Sequence, residues 1–305
     1  MENKIYTKKL SNLQKWYLKY TNRAAYKDYK VQASNIKFIK KTGAINHPPL
    51  IELNKSESSF LHSGNSGDVI YSLPAVYELS KKGKANYYLK SGQKGIYEAF
   101  HPLGGVMLND KMISMLIPLL EYQPEINFCK KYEGEEIDVD LDSFRNYSIL
   151  LDRGNIVRWY FYVFGISRNT SLPWLTAPTE TFYKNSIVIA RSHRYRLPLI
   201  DYSFLNKYEN IFFVGVEEEY NDMKKYIPKI IFKQVTNFLE MATIINSCKL
   251  FIGNQSFPFS IAEGLKVNRL LEVCFKCPNV IVEGNGANDF MYQPQFEYSV
   301  ARLMA

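Results

Sequence analysis

Short apolar runs alternate with longer mixed ones along most of the chain, as in parallel strands joined by helices. Residues 249–253 and Ser186–Ala190 are apolar and too short for helices, so they read as inner strands covered on both faces. Further strands are expected at Ala85–Lys90, Glu125–Cys129, Ile211–Val216, Ile230–Gln234, Arg269–Val273 and Val280–Val282. Helices are expected over Asp110–Tyr122 (interrupted near Pro118), Asn155–Phe164, Ile200–Tyr208 and Phe238–Cys248. Thr170–Pro178, with Pro173, Trp174 and Pro178, breaks this alternation into two successive βα series. Two such series predict an α/β protein of two doubly wound domains facing each other. No fixed-period repeat is present.

The N-terminal region follows a different pattern. Tyr6, Leu10, Leu13, Tyr17 and Tyr20 recur at helical spacing, and Lys4, Lys8, Lys15 and Lys19 fall almost opposite. Trp16 and Leu18 lie off that stripe. Residues 1–45 hold ten Lys and one Arg against one Asp and one Glu, a net +9, whereas the whole chain is +8. The rest of the chain is therefore close to neutral at −1, without the basic stripe that nucleic-acid binding needs. The basic helix can lie on an anionic membrane surface through residues 4–20, or pack on the protein with its lysines in water. Residues 43–58, with Gly43, Pro48, Pro49 and two Ser, read as a linker. The expected organisation is a basic helical extension and linker (1–55), a first α/β domain (56–176), a second (177–290) and a C-terminal tail (291–305). A composition of 46% hydrophobic and 22% charged residues fits a folded globular protein. No apolar run approaches the roughly 18 residues of a spanning helix. With no secretory pattern and four cysteines in 305 residues, the expected location is cytoplasmic.

Two stretches carry candidate chemistry. In residues 251–265 a strand ending at Gly253 passes through Asn254 and Gln255 to a helix opening near Ser256. Ser256 suits an N-cap, and Pro258 is tolerated in the first turn because its missing N–H would be unpaired there. Such a strand–turn–helix aims free N–H groups and the positive end of a helix dipole at one spot, which suits a phosphate, although an ordinary βα unit looks the same. The Gly-x-Gly-x-x-Gly and Walker patterns are absent. In residues 59–76 a short strand runs through Gly64-Asn65-Ser66-Gly67 into a helix beginning near Asp68. Gly64 and Gly67 let the backbone bend tightly and approach a ligand. Asp68 reads either as a carboxylate cap on that helix or as a base exposed at the carboxyl end of a strand. A third segment, Arg191-Ser192-His193-Arg194-Tyr195-Arg196, follows the first strand of the second series. Its guanidinium groups, Arg191 and Arg194 foremost, can clamp a pyrophosphate, or form a solvated basic loop.

Taken together, Gly67-Asp68-Val69-Ile70-Tyr71-Ser72-Leu73-Pro74-Ala75 and Phe251 to Leu265 resemble the two motifs of glycosyltransferase family 9, the bacterial heptosyltransferase group. The resemblance implies the GT-B fold, two Rossmann-like domains facing a central cleft, across roughly residues 56–290. It implies metal-independent transfer of a sugar from a nucleotide-diphosphate donor to a glycan or lipid-linked acceptor in surface-polysaccharide or lipopolysaccharide-type biosynthesis, with no cofactor besides the donor. Asp68 matches the family's base, and Gly253, Asn254, Ser256 and Pro258 match its phosphate-binding turn. Gln255 stands where the family has Asp, Phe257 where it has its second Gly, and Ser260 where it has His. Glu263 matches the place of a carboxylate that holds the donor ribose. Gly64, Asn65 and Gly67 fall on the acceptor side. A nucleotide-sugar epimerase of similar fold and a non-catalytic binding protein remain as other readings.

Two further patterns read as structural. Asp138-Val139-Asp140-Leu141-Asp142 alternates as a half-exposed strand does, although D-x-D also holds metal in other transferases. Cys274-Phe275-Lys276-Cys277 is a lone C-x-x-C with no second pair, which reads as loop cysteines rather than a zinc site.

Overall fold

A computed structural model describes residues 9–42, 51–95, 97, 104–147 and 149–305. The chain divides into two compact units.

One unit holds the N-terminal helices. Helix α1 (Asn12–Thr21) opens on Ser11, whose Oγ accepts the Gln14 N–H while Gln14 Oε1 accepts the Ser11 N–H, a capping box. The helix stops at Asn22, which leaves helical dihedrals and accepts the Ala25 N–H on its own Oδ1. That side chain starts α2 (Arg23–Thr42), a second helix the periodicity of residues 6–20 does not announce. Tyr29 of α2 is buried and its hydroxyl accepts the Leu10 N–H, tying the two helices together. No residue of α1 is buried: Leu13 is 81% and Trp16 62% exposed, with Tyr17 and Tyr20 also in solvent. Tyr6, Lys4, Lys8 and residues 43–50 of the expected linker lie outside the described residues.

The other unit contains two parallel sheets. The first is built from β1 (Glu57–His62), β2 (Lys84–Leu89), β3 (Ile126–Lys131) and β4 (Val139–Asp140), in the order β3-β2-β1-β4. Its helices are α3 (Ser66–Leu79), α4 (Asp110–Glu121) and α5 (Ile156–Phe164). The second sheet has β5 (Ile187–Ala190), β6 (Ile211–Phe213), β7 (Ile231–Phe232), β8 (Leu250–Asn254), β9 (Arg269–Glu272) and β10 (Ala287–Phe290), in the order β10-β9-β8-β5-β6-β7. Its helices are α6 (Glu217–Met223), α7 (Phe238–Ser247), α8 (Phe257–Leu265) and α9 (Gln293–Met304). Every residue of β5, β8 and β9 is buried, as expected of strands covered on both faces. The halves meet where α3 packs on α8 and α4 on α7. Gly264 of α8 leaves room for Trp174 and Leu175, whose N–H groups both donate to its carbonyl at 3.0 and 3.1 Å.

Several sequence expectations are corrected. Ile200–Tyr208 is not an α-helix but a 3-10 turn at Ser203–Lys207, because the Asp201 carboxylate accepts the Ser203 N–H and hydroxyl and tightens the chain there. Val280–Val282 forms no strand; the sixth strand is β10, entered through the positive-φ Gly284 and Gly286. Helix α4 runs through Pro118 without a break. The Asp138–Asp142 strand shrinks to β4 and continues as a 3-10 turn, Leu141–Asn146. Residues 293–304, within the expected tail, are helical, and Phe296 stacks on Phe290 at 4.1 Å inside the second core.

Candidate active site

Strand order reverses at one place in each sheet, between β1 and β4 and between β5 and β8. The carboxyl ends at such a reversal splay apart and leave a crevice, where open α/β sheets bind ligands. The segments singled out from the sequence emerge at these two points.

In the first half, β1 ends at His62, which is fully buried. The Gly64 N–H donates to His62 Nδ1 at 2.9 Å, so Nδ1 carries a lone pair and the proton sits on Nε2. Nε2 then donates to the Tyr160 hydroxyl at 2.9 Å, and that hydroxyl donates to the Asp68 carbonyl at 3.1 Å. Ser63 donates through its N–H and hydroxyl to Asp142 Oδ2, which fixes the loop that leads into α3. At the start of α3 the half-exposed Asp68 accepts on Oδ2 from the Asn65 N–H at 3.3 Å and from Asn65 Nδ2 at 3.4 Å. Asp68 is thus a helix cap in geometry. It is partly exposed in the first turn of α3, six residues past the end of β1.

In the second half, Gly253 and Ala190 pair in register, and a Cβ on Gly253 would lie 2.8 Å from the Ala190 carbonyl oxygen. Only glycine fits there. Asn254, fully buried, accepts the Ser192 N–H at 3.0 Å and donates to the Ser192 carbonyl at 2.8 Å, locking the β5 and β8 loops together. Gln255 accepts the Cys274 N–H at 2.8 Å and donates to the Cys277 carbonyl and Asn279 Oδ1. A carboxylate at this position could accept the first bond but donate neither of the others, so the Asp-to-Gln departure supports the 274–279 loop. Ser256 stands at the N-cap position of α8 without a side-chain cap bond, its hydroxyl donating to the Asn254 carbonyl at 3.4 Å, and the buried Ser260 donates to the Phe257 carbonyl.

The two motifs meet directly. A Cβ on Gly67 would lie 3.8 Å from Phe257 Cα and 3.9 Å from Ser260 Oγ, so the first turn of α3 lies against the first turn of α8. Phe257 and Ser260, two of the three departures from the family pattern, are the residues packed there.

The charged candidates divide. Arg191, read as a phosphate clamp, is buried and forked onto Glu272 at 2.7 and 2.8 Å, with its guanidinium 4.6 Å from the Tyr202 ring centre. Burial opposes its charge, but the Glu272 bond, with the added pull of Tyr202 and of the Glu272 charge, outweighs that and raises its pKa. Glu263, read as a ribose ligand, is 2% exposed; its Oε2 accepts from Arg269 and its Oε1 from Lys266 and the Glu283 N–H. Burial lowers the Lys266 pKa to about 8 in spite of Glu263. Both residues therefore have their charged groups engaged within the fold. Arg196 is likewise paired with Asp222. Arg194 differs: it is exposed, and its guanidinium lies 5.1 Å from the Tyr97 ring centre and 4.9 Å from that of Tyr195. Among the described residues no carboxylate pairs with it.

His62, Tyr97 and Tyr160 escaped the sequence reading, and Asp142 entered it only within the D-x-D strand pattern. His62 carried a signal, as the last residue of the strand before the Gly64 turn; Tyr97 and Tyr160 are distant in sequence and marked by no spacing. The aspartates of the D-x-D pattern are engaged internally, Asp138 with Lys55 and the Ser59 N–H, Asp140 with the Asp142 N–H, and Asp142 with Ser63. Cys274 and Cys277 are unbonded thiols.

No family model matches the sequence, and no curated protein matches it. Solved structures do match in fold. A glycosyl transferase family 9 protein from Veillonella parvula aligns over 84% of this chain and 90% of its own, with 14% identity and a TM-score of 0.54. The E. coli heptosyltransferase WaaC, solved with ADP, aligns over 82% of this chain and 100% of its own, with 9% identity and a TM-score of 0.55. The E. coli ADP-heptose lps heptosyltransferase II aligns over 81% and 98%, with 11% identity and a TM-score of 0.50. With its two parallel sheets, each reversing strand order once, the chain has the GT-B type of fold and resembles the glycosyltransferase family 9 heptosyltransferases in architecture.

Proposed function

We propose that this protein is a glycosyltransferase that moves a sugar from a nucleotide-diphosphate donor to a glycan or lipid-linked acceptor, as in surface-polysaccharide or lipopolysaccharide-type synthesis. The observation that carries this reading is the convergence of the two motifs, with the α3 and α8 N-termini packed together at Gly67 and Phe257. In the reaction Asp68 takes the proton of the acceptor hydroxyl, and that oxygen attacks the anomeric carbon. The bond from that carbon to the donor phosphate oxygen breaks, and the nucleoside diphosphate leaves with the bond electrons. Arg194, the Ser256 hydroxyl and the Phe257 N–H at the start of α8 would meet the developing charge, in a metal-independent mechanism. Gly64, Asn65 and Gly67 shape the acceptor side. Gly253, Asn254, Gln255 and Ser260 hold the phosphate turn. Arg191 and Glu263 act indirectly, by fixing the loop after β5 and the face of α8.

The same reading sets the protein against an anionic membrane surface, on the cytoplasmic side, where a lipid-linked acceptor would be presented. The exposed Leu13, Trp16, Tyr17 and Tyr20 of α1 support it, as does the net +8 of residues 9–42, which hold a single acidic residue. No helix among the described residues is long and apolar enough to cross a membrane.

The test is a thermal-shift panel of ADP, UDP, GDP and CDP, each with and without magnesium. A ligand at about a hundred times its Kd adds roughly 2.7 kcal/mol of apparent stability. One nucleotide should raise the midpoint without magnesium, and Arg194→Ala should shrink that rise. Asp68→Asn should keep the rise and lose transfer by about 10²- to 10⁴-fold, the usual worth of a general base. A flat panel would leave a GT-B protein without donor chemistry.

A further inference from the structure

Tyr97 lies outside both motifs, in the segment that follows β2, and no sequence pattern marks it. Its hydroxyl donates to Asn65 Oδ1. With that oxygen occupied, the Asn65 Nδ2 is the end of the amide left to meet Asp68, which it does at 3.4 Å. The face of the same ring lies 5.1 Å from the Arg194 guanidinium. Tyr195, half-buried, stands 4.9 Å from that guanidinium. Asp68 and Arg194 both act electrostatically on the Tyr195 hydroxyl, Asp68 raising its pKa and Arg194 lowering it, while burial raises it most. A carboxylate and a cation from opposite halves are thus gathered around two tyrosines.

Stacking occupies the faces of a guanidinium and leaves its N–H donors, which lie in the plane, free to bond. Arg191 and Arg196 spend those donors on Glu272, Asp222 and nearby carbonyls. Arg194 spends none on a carboxylate, and it would otherwise be a long exposed side chain with its rotamers free. A ring face that holds it removes that entropy before a ligand arrives.

We infer that Tyr97 is a positioning residue for donor binding: its ring, pegged to the first half by the Asn65 bond, holds the Arg194 fork toward the phosphates of a nucleoside diphosphate. This rests on the donor reading above and adds a residue that reading does not contain. The peg also means that phosphate capture by the second half is felt at the α3 turn that carries Asp68.

The test is a double-mutant cycle read by calorimetric titration, using whichever of ADP, UDP, GDP and CDP binds the unmodified protein most tightly. Tyr97→Leu removes the ring face and should weaken binding about two- to fivefold, the worth of an exposed cation–π contact. Tyr97→Phe keeps the face and should stay within about twofold. In an Arg194→Ala background Tyr97→Leu should have no further effect, because the contact is already gone. Equal weakening by Tyr97→Leu in both backgrounds would assign Tyr97 to the fold alone and overturn the inference. Unchanged binding in the Tyr97→Leu single variant would overturn it as well. Absence of binding to the unmodified protein would instead remove the donor reading, and this inference with it. Thermal midpoints confirm folding, and Tyr97→Met repeats the cycle with a side chain that fills the space differently.

Discussion

Glu219 sits beside the arginine-bearing loop, where the backbone N–H groups of His193 and Val216 bond to its carboxylate. Burial nevertheless dominates and lifts its pKa to about 7 from 4.5. A carboxyl whose pKa rises on folding supports the native state fully below its unfolded value, and that support is lost as pH climbs through the folded value. At pH 8 the protein therefore holds a half-buried charge it would shed if it could. Glu219→Gln keeps an acceptor and drops the charge, so it should stabilise the protein by up to about 3 kcal/mol at pH 8, at about 1.36 kcal/mol per pKa unit. Near pH 4 the difference should vanish. Urea denaturation at both pH values checks this. The same residue scale shows where the sequence was opaque. Arg191 and Glu263 carry the right charge at the right ends of strand and helix, but the charge of a residue does not say whether a partner such as Glu272, 81 positions away, has already taken it. Packing decides that, and packing here turns both into frame residues. Losing one member of such a buried pair typically costs about 3–5 kcal/mol. Activity lost on substituting either would thus report folding before chemistry.

Among the elements, the inner strands were legible because burial on both faces leaves an uninterrupted apolar run, as in β5 and β8. The helices α2, α6 and α9 were not. Helix α6 reads Glu217-Glu218-Glu219-Tyr220-Asn221-Asp222-Met223, and only Met223 of these is buried. A single buried contact leaves no period to detect. Helix α1 was read as one helix from residue 6 to 20; its end at Asn22 follows from a side chain that caps the next helix, which a hydrophobic period does not record. What the period did record is the apolar set now found exposed on α1. Trp159 and Trp174 are buried, so a blue shift of tryptophan emission on adding phosphatidylglycerol vesicles would report Trp16. The shift is expected at low salt, weaker as salt screens the lysines, and absent with phosphatidylcholine alone. Leu13→Ser with Tyr17→Ser should reduce partitioning about tenfold, since two apolar groups no longer leave water. Binding unaffected by these changes would assign the stripe to another role.

Over the whole molecule, two motifs separated by nearly two hundred residues were each legible as a strand, a polar turn and a helix, because a βα unit with a polar turn announces its own carboxyl end; that each stands where its sheet reverses strand order is seen only in the fold. What joins them was invisible: the fit of Gly67 against Phe257, and Tyr97 reaching between halves, are properties of tertiary packing. The strand orders have a consequence beyond ligand binding. Two open sheets have four outer strands, each able to recruit a stranger's backbone. Here β4 and β7 are two residues long, and β7 is followed by Lys233. The longest, β3, ends in Lys130 and Lys131, whose charges are shared with Glu135 and Asp110. A neighbouring copy laid along β3 would have to strip water from both lysines. Replacing the pair with Val should lower the concentration at which light scattering first rises. The outer strands of both sheets are thereby short or charged, and a second copy gains little by pairing along them.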